Sequence, residues 1–424
     1  MNNTFSKYAD ILIKELKPAL GCTEPIAISL AAAKAAGVLG KTPDKMEIAC
    51  SGNIIKNVMG VTVPNSGGKK GIQIAAALGA VGGDAEDSLQ VLTKINDQDR
   101  LLAEEMVASG AVTVRLVQDV DNLFIHVTAW ADDHCAEVII ANMHTQVVRI
   151  VKDGNVIFVD DSVSACGITS THYEMDLDEI LDFAESVDLD TVRHVLDQQI
   201  QCNTEISNVG LAGGYGEEVG KTLLQEFGND THVRAKARAA AGSDARMGGC
   251  VLPVVINSGS GNQGLTVSLP VIEYAAALNV DQEKLYRALV ISNLIAVYQK
   301  SYIGKLSAFC GAVSAACGAG AAITYLHGGS RKQIEDTITN TLANVGGIVC
   351  DGAKPSCAAK IASSLEAAIT GHVMSMNGHC FKTGEGIVQN DVESTMRSMG
   401  YIAREGMRST DLEILRVMTK EVSP

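Results

Sequence analysis

The sequence divides into two regions with different periodicity. Short β-rich runs are confined to residues 46–162, whereas longer runs with helical spacing dominate from about residue 170 onward. Strands in one segment and helices in another predict an α+β fold, in which a mostly α-helical domain carries an inserted α/β domain. The predicted strands are Met46–Cys50, Val61–Val63, Val112–Val117, Leu123–Ala129, Ala136–Asn142, Gln146–Val151 and Val156–Val159.

The same pattern predicts three regions. Residues 46–162 form the inserted α/β domain, with helices at 71–81 and 85–95 between the strands. Residues 163–424 form the helical catalytic domain. Residues 1–45 contain two helices, and we expect both to join the helical domain.

The predicted core is built from small side chains. Only 4% of the residues are aromatic, although 46% are hydrophobic. Such a core requires close approach of helices rich in Ala and Gly. Two uncharged stretches, 247–272 and 306–329, are long enough to span a membrane. The first is interrupted by Pro, Asn and Gly, and the second consists largely of Gly, Ala, Ser and Cys, so we expect neither to insert.

Charge and cysteine content limit the partners and the compartment. A formal charge of −15 is unsuited to nucleic acid or to an acidic membrane surface, so a small-molecule substrate is expected. Eleven cysteines, an odd number, argue against a closed set of disulfides, and the first ten residues lack an apolar secretion signal. We therefore expect reduced thiols in the cytoplasm. The oligomeric state stays open, with a homodimer as one option.

Three cysteines are candidates for metal chemistry. Cys310 precedes an alanine-rich run, and Cys350 and Cys357 bracket a segment rich in Gly and Pro. Such a turn can wrap around a cofactor and present two sulfurs to it. Their spacing matches no local ferredoxin or zinc-finger pattern, and buried cysteines that only fill space are the alternative.

Cys22 is a candidate catalytic thiol. It lies immediately before a predicted helix, for which Thr23 is the predicted N-cap and Pro25 suits the first turn. A thiol beside a helix N-terminus can be stabilised as the thiolate. The alternative is a buried cysteine with a purely structural role.

Two polar, glycine-containing segments resemble loops that bind small molecules. The first includes Ser51, Asn53, Lys56 and Asn57, and the second runs from 257 to 264 and includes Asn262 and Gln263. Amides and one lysine can hold the carboxylate and ammonium of an amino acid, and we expect the two segments to face each other across a domain cleft. Each segment could equally be a solvated turn.

Together these segments resemble the L-cysteine desulfidase family, which is related to the alpha chain of iron–sulfur L-serine dehydratases. The most specific parts are the Gly-Cys-Thr-Glu-Pro phrase at 21–25 and the segment from Cys350 to Cys357. The resemblance implies a [4Fe–4S] cluster held by Cys310, Cys350 and Cys357, with Cys22 as the base or as a further cluster ligand. It also implies that no pyridoxal phosphate is needed.

The function implied is an iron–sulfur-dependent lyase that converts L-cysteine to sulfide, ammonia and pyruvate. An open iron would act as a Lewis acid on the substrate's sulfur, while the Cys22 thiolate removes the Cα proton. An L-serine dehydratase of the same mechanism is the close alternative. A cluster-free amino-acid-binding protein is the alternative from another class, although such a protein has no need of three separated thiols.

Overall fold

The computed structural model describes residues 3–160, 173–304 and 306–420. The predicted α+β class is confirmed, because one mixed sheet lies in the first third of the chain and helices form almost all of the rest. The predicted domain boundary at 162/163 lies outside the described residues, and the division into three regions stays a prediction.

The first 160 residues contain the sheet and five helices. In chain order the elements are α1 (Asn3–Glu15), β1 (Pro18–Leu20), α2 (Thr23–Leu39), β2 (Lys45–Cys50), α3 (Gly52–Val58), α4 (Ile72–Gly82), α5 (Asp97–Ala108), β3 (Val112–Leu116), β4 (Phe124–Ala131), β5 (His134–Ala141), β6 (Val147–Lys152) and β7 (Asn155–Val159). The strand order in the sheet is β3-β2-β4-β5-β6-β7. Only β2 and β3 pair in parallel, and the other neighbours are antiparallel.

The remainder is a helical assembly with one short strand. Its elements are α6 (Leu177–Ser186), α7 (Arg193–Ala212), α8 (Val219–Phe227), α9 (Thr231–Met247), β8 (Pro253–Val255), α10 (Gly261–Ala277), α11 (Gln282–Ile303), α12 (Gly311–Leu326), α13 (Arg331–Asn344), α14 (Cys357–Met376), α15 (Val392–Tyr401) and α16 (Arg408–Met418). A π-helix, Ile402–Gly406, joins the last two. The helix α12 lies at the centre and packs against α10, α11, α13 and α14. Its buried residues are mostly Ala and Gly, as the composition predicts for close helix packing.

The N-terminal segment divides between the two regions, which corrects one expectation. The helix α1 packs on α6 and α11, and β1 pairs with β8, so residues up to about 20 do join the helical region. The helix α2, however, packs on α4 and on strands β4 and β5. Its alanine-rich surface is apolar almost all round, and such a helix must be covered on every side, which the sheet and α4 provide.

Several local predictions were wrong. Residues 61–63 form only an isolated bridge, Thr62 to Lys70, because Pro64 and the glycines at 67 and 68 turn the chain back. Residues 85–95 contain a short 3₁₀ helix, and the neighbouring helix α5 starts only after Asn96, whose side chain caps it.

Within the described residues, no helix is both long enough and apolar enough to cross a membrane. The uncharged stretch at 247–272 contains β8 and the buried first turns of α10, and most of the stretch at 306–329 is the central helix α12. The apolar residues of both stretches therefore lie in the protein core.

Candidate active site

Backbone pairing brings Cys310 and Cys350 together. A short antiparallel bridge joins Phe309 to Val349. The N–H of Cys310 donates to the carbonyl of Ile348 at 2.9 Å, and the N–H of Cys350 donates to the carbonyl of Ala308 at 2.6 Å. Two cysteines distant in sequence are thus held at the start of α12 and just after α13, with their thiols close enough to interact.

The third cysteine, Cys357, begins α14 and faces the same place. Its thiol lies 3.7 Å from the carbonyl oxygen of Gly352, within the turn that follows Cys350. Gly352 has a φ of 91°, and a Cβ there would lie 2.2 Å from the backbone oxygen of Lys56. Glycine therefore allows this turn to pack directly on α3, which places Cys357 beside the other two thiols.

The three thiols differ in their electrostatic environment. The interaction with Cys310 lowers the pKa of Cys350 to about 5 against the opposing effect of burial, and the charges of Lys56 and Lys300 assist. The Cys350 thiol and burial together raise the pKa of Cys310 well above its ordinary value. Burial also raises the pKa of Cys357. Of the three thiols, the Cys350 thiol is thus the one whose surroundings favour the charged form, chiefly through its hydrogen bond with Cys310 and secondarily through Lys56 and Lys300.

This arrangement can be compared with what a metal centre requires. Among the described residues, no three His, Cys, Asp or Glu side chains are arranged around the position of a single metal ion. In an iron–sulfur cluster each thiolate binds a different iron, so the sulfurs need not converge on one point. Three neighbouring thiols with lysines beside them fit the donor chemistry of such a cluster.

Cys22 and Cys357 share one small apolar cluster. Cys22 is the N-cap residue of α2, so the predicted cap at Thr23 is off by one residue. The Cys22 side chain is 2% exposed and belongs to a small apolar cluster with Val61 and Met247, against which Cys357 packs. The candidate catalytic thiol and one candidate cluster ligand are therefore neighbours.

The expected thiolate at Cys22 is corrected. Its thiol donates a hydrogen bond to Oε2 of Glu24 at 2.9 Å. Burial and the Glu24 charge raise the pKa of Cys22 well above its ordinary value, and the opposing charge of Arg246 does not offset them. The advantage of a helix N-terminus is thus outweighed by desolvation and by a carboxylate, and the surroundings of Cys22 favour its neutral form.

Glu24 is a site residue that the sequence did not identify as such. Its carboxylate is 7% exposed and also accepts hydrogen bonds from the Thr23 hydroxyl and the Asn57 amide, both at 3.1 Å. Burial acts to raise its pKa, but His144, the Cys22 thiol and Arg246 stabilise the charged form and lower that pKa to about 2. The proximity of Glu24 to Cys22 in sequence was the only available signal.

His144 was also missed, and nothing in the sequence pointed to it. It follows β5, and its Nε2 lies 3.7 Å from Oε1 of Glu24, which is an ion-pair distance but longer than a hydrogen bond. The imidazole is 5% exposed, and Nε2 has no hydrogen-bond partner among the described residues. The site therefore contains a buried, unpaired nitrogen beside a carboxylate.

Two of the six predicted substrate-binding residues have other partners. The Ser51 hydroxyl donates to the carbonyl of Asn122 at 2.7 Å. The Lys56 ammonium is 1% exposed, pairs with Asp411 of α16 and donates to the carbonyl of Cys350 at 3.3 Å. Both side chains hold the α3 region in place, which leaves their predicted contact with a substrate without support.

The other four carry amides, and contacts place Asn57, Asn262 and Gln263 in or near the site. The Asn57 amide donates a hydrogen bond to Glu24, and the Asn262 amide lies 3.8 Å from the Met247 sulfur. Gln263 packs against Gly311, the residue after Cys310, because a Cβ built on this glycine would lie 2.6 Å from the Gln263 side chain. The amide oxygens of Asn262, Gln263 and Asn53 are buried and have no hydrogen-bond partner in the part of the chain that the structure describes. Unpaired buried acceptors are costly in a protein interior, so these oxygens are suited to receive donors from a ligand.

Comparison with known proteins gives the family. The model described as "Serine dehydratase alpha chain" matches residues 86–416, a range that includes Cys310, Cys350, Cys357, Asn262 and Gln263 but not Cys22 or Glu24. A "UPF0597 protein" of Lachnoclostridium phytofermentans is 52% identical over 98% of this chain and 99% of its own length. A second, from Finegoldia magna, is 48% identical over 98% of this chain and 99% of its own. A third, from Treponema denticola, is 44% identical over 98% of both chains.

The matching range contains most of the helical region and the three grouped cysteines, and the relatives extend the similarity through Cys22 and Glu24. Membership of this family points to a lyase or dehydratase. The chain belongs to the serine dehydratase alpha-chain family.

Proposed function

We propose that this protein is an iron–sulfur-dependent lyase that cleaves L-cysteine to sulfide, ammonia and pyruvate. The observation that carries the proposal is the grouping of Cys310, Cys350 and Cys357, the last of which packs against the small apolar cluster that contains Cys22. Three thiols would hold a [4Fe–4S] cluster and leave one iron open, which when bound supplies a Lewis acid for the sulfur of the substrate. No pyridoxal phosphate is required.

The lysines around the cysteines suit this role. Lys360 donates to the carbonyl of Val349 at 2.8 Å, and Lys354 donates to the carbonyls of Asp351 and Gly352 at 3.1 Å. Burial raises the pKa of Cys357, and the charges of Lys354 and Lys360 oppose this effect. The charge of Lys56 helps the Cys310 hydrogen bond to lower the pKa of Cys350. Three thiolates gathered in one place repel one another, and these ammonium groups offset that repulsion.

The amides provide the recognition of the amino acid. The buried oxygens of Asn53, Asn262 and Gln263 can accept hydrogen bonds from the substrate ammonium. Neutral amides hold a zwitterion without adding net charge to a site that is already rich in sulfur and carboxylate. Cys22 would act as the base in its thiolate form, so its own proton must leave before it removes the Cα proton. The Cβ–S bond then breaks and sulfide leaves, which gives aminoacrylate, and water hydrolyses aminoacrylate to pyruvate and ammonia.

L-Serine is the second candidate substrate, because the matching family is described by serine dehydratase. A hydroxyl could take the place of the thiol at the same position. Measuring pyruvate from both amino acids under identical conditions separates the two. If the protein is instead a cluster-free amino-acid-binding protein, it should bind an amino acid but form no pyruvate from L-cysteine or L-serine.

The proposal is tested by anaerobic purification and reconstitution with iron and sulfide. The expected result is a brown protein with broad absorption near 400 nm that releases sulfide and pyruvate from L-cysteine without added pyridoxal phosphate. Cys22→Ala distinguishes the roles of that residue. If Cys22 is the base, the variant should retain its iron and lose sulfide release by ~10²-fold or more. If Cys22 is a cluster ligand, the variant should lose its iron as well. Full activity in this variant contradicts both roles.

The free cysteine thiols bear on where in the cell the protein works. All cysteines in the described part of the chain are free thiols. We propose that the protein works in a reducing cytoplasm, where such thiols persist. A homodimer stays an option that size-exclusion chromatography with light scattering can test.

A further inference from the structure

Arg246 is a buried arginine in the last turn of α9, and its side chain is 2% exposed. Its Nε donates a hydrogen bond to the carbonyl of Gly21 at 2.8 Å. In residues 3–160, 173–304 and 306–420, its two terminal nitrogens form no hydrogen bond, and no carboxylate forms an ion pair with it. The carbonyl end of α9 stabilises the charge only in part. Because a buried charge is costly unless it is paired, this guanidinium is suited to receive an anion.

The guanidinium lies between the start of α2 and the start of α10. A Cβ on Gly261, the first residue of α10, would lie 2.3 Å from Nε of Arg246, so glycine at this position leaves room for the guanidinium. On the other side, the hydrogen bond to Gly21 places it beside Cys22. Burial and Glu24 raise the pKa of Cys22, and the charge of Arg246 opposes them, which also indicates a short distance to that thiol. The arginine is therefore a neighbour of the proposed base.

The N-terminus of α10 adds to this environment. Ser260 caps the N–H of Gln263, and no residue within the helix can accept from the two N–H groups before it. The partial positive charge of a helix N-terminus favours anions. The buried amide oxygen of Asn262 is unpaired in the described structure, and its amide nitrogen lies 3.8 Å from the sulfur of Met247, the residue after Arg246. A cationic group and an unpaired acceptor thus lie close together, as the carboxylate and ammonium of one amino acid require.

The carboxylate of the proposed substrate has no other suitable partner among the predicted site residues. The buried amide oxygens accept hydrogen bonds, so they suit the ammonium rather than the carboxylate. Lys56, which the sequence suggested for a substrate, is instead engaged with Asp411 and with the carbonyl of Cys350. A guanidinium presents parallel N–H groups that match the two oxygens of a carboxylate.

We propose that Arg246 binds the α-carboxylate of the amino-acid substrate, with the N-terminus of α10 beside it and Asn262 receiving the ammonium. The proposal rests on the proposed lyase function and gives it a substrate class, namely α-amino acids with a free carboxylate. A carboxylate held there lies beside Cys22, as removal of the Cα proton by that residue requires. An analogue without the carboxylate leaves the guanidinium unpaired, so the site should reject it.

The test compares L-cysteine with L-cysteinamide, which has a neutral amide in place of the carboxylate. Anaerobically reconstituted wild type should prefer L-cysteine by ~10²-fold or more in kcat/KM, measured as sulfide release. Arg246→Met removes the guanidinium and should lower this acid-to-amide ratio at least about tenfold, chiefly through a higher KM for L-cysteine. The different reactivities of the two compounds cancel when the ratios of two proteins are compared. A purely structural defect slows both substrates alike and leaves the ratio unchanged.

Two further variants make the test specific. Arg246→Lys keeps the charge but not the parallel N–H groups, so its ratio should lie between those of wild type and Arg246→Met. If circular dichroism shows that Arg246→Met is unfolded, a ratio below wild type in Arg246→Lys still tests the proposal. Arg234→Met, on the same helix, removes an arginine that pairs with Glu273 at 3.0 Å and should keep the wild-type ratio.

A binding measurement separates this proposal from the proposed function. L-Alanine has both charged groups but no leaving group, and L-alaninamide lacks the carboxylate. By calorimetry, wild type should bind L-alanine ~10²-fold or more tightly than L-alaninamide, and Arg246→Met should lose at least about tenfold of that difference. This result, together with no sulfide release from iron-loaded wild type, would count against the lyase function and would support the carboxylate site.

Three outcomes overturn the proposal. The first is sulfide release with an equal acid-to-amide ratio in wild type and Arg246→Met, which leaves the lyase function in place. The second is loss of iron in Arg246→Met, because the guanidinium would then serve to balance the charge of the cluster. The third is no difference between L-alanine and L-alaninamide in their binding to wild type.

Discussion

The ammonium of Lys56 donates a hydrogen bond to the carbonyl oxygen of Cys350 across 3.3 Å. The lysine belongs to α3 of the α/β region, whereas the cysteine belongs to the turn that precedes α14. The same ammonium pairs with Asp411 of α16 and is almost completely buried. One lysine therefore joins the sheet region, the cysteine turn and the last helix.

Replacing this lysine should destabilise the fold. Lys56→Met leaves the Asp411 carboxylate, whose side chain is 15% exposed, without its partner. Breaking a buried ion pair from one side costs about 3 kcal/mol, and we expect a loss of that size in the free energy of unfolding, measured with urea at pH 7. The double variant Lys56→Met/Asp411→Leu should recover most of the loss, because no unpaired charge remains. A double variant as unstable as the single one contradicts this account of the pair.

The stability of the helical region should depend on pH through His372. Its Nδ1 contacts the Thr324 hydroxyl at 2.9 Å, and its ring lies 4.6 Å from that of His327. Burial and the His327 charge lower the pKa of His372 from 6.5 to about 4. The unfolded chain therefore binds a proton below pH 6.5 that the folded chain binds only near pH 4.

The contribution of His372 is fully present above pH 6.5 and is lost as pH falls from 6.5 toward 4, by up to about 3 kcal/mol. Urea unfolding at pH 7 and pH 4.5 should reveal the loss in wild type. His372→Gln should reduce this pH dependence, and His194→Gln, at an exposed position, should retain it. Equal pH dependence in all three proteins is the contrary result.

Asn262 should contribute to substrate recognition. Asn262→Ala removes a buried, unpaired amide oxygen near Met247 and Cys22. We expect kcat/KM for L-cysteine to fall roughly tenfold or more, since one such hydrogen bond is worth about 1–3 kcal/mol to a charged donor. The absorption near 400 nm should not change. Asn208→Ala, which removes a surface partner of Arg238, is the matched control, and wild-type kinetics in Asn262→Ala would exclude that residue from the site.

Local sequence signals predicted much of the fold. Short β-rich runs placed the six strands of the large sheet to within a few residues, and in β4 and β5 buried and less buried residues alternate as expected for strands with one buried face. The packing of α2 could not be read in the same way. An alanine-rich helix that is apolar all round has no distinctive face, so the sequence does not indicate whether the sheet or the helices cover it.

The candidate site was predictable only in part. The three cysteines were identified because a family resemblance marked them, since their spacing alone matches no known pattern. Glu24 and His144 depend on tertiary contacts, namely a side chain that turns back to Cys22 and a loop that lies beside it. Lys56 was assigned to a substrate because its partner, Asp411, is distant in sequence. The contacts of His144 and Lys56 have no local sequence signal, because their partners are distant in the chain.

We propose that the three grouped cysteines make this chain a lyase acting on L-cysteine. The most direct measurement is the rate of sulfide release from L-cysteine by anaerobically reconstituted wild type, Cys357→Ala and Cys135→Ala, each with its iron content. We predict sulfide release and bound iron in wild type and Cys135→Ala, and neither in Cys357→Ala. Sulfide release by Cys357→Ala at the wild-type rate, or a wild-type protein that holds no iron and releases no sulfide, would contradict the account.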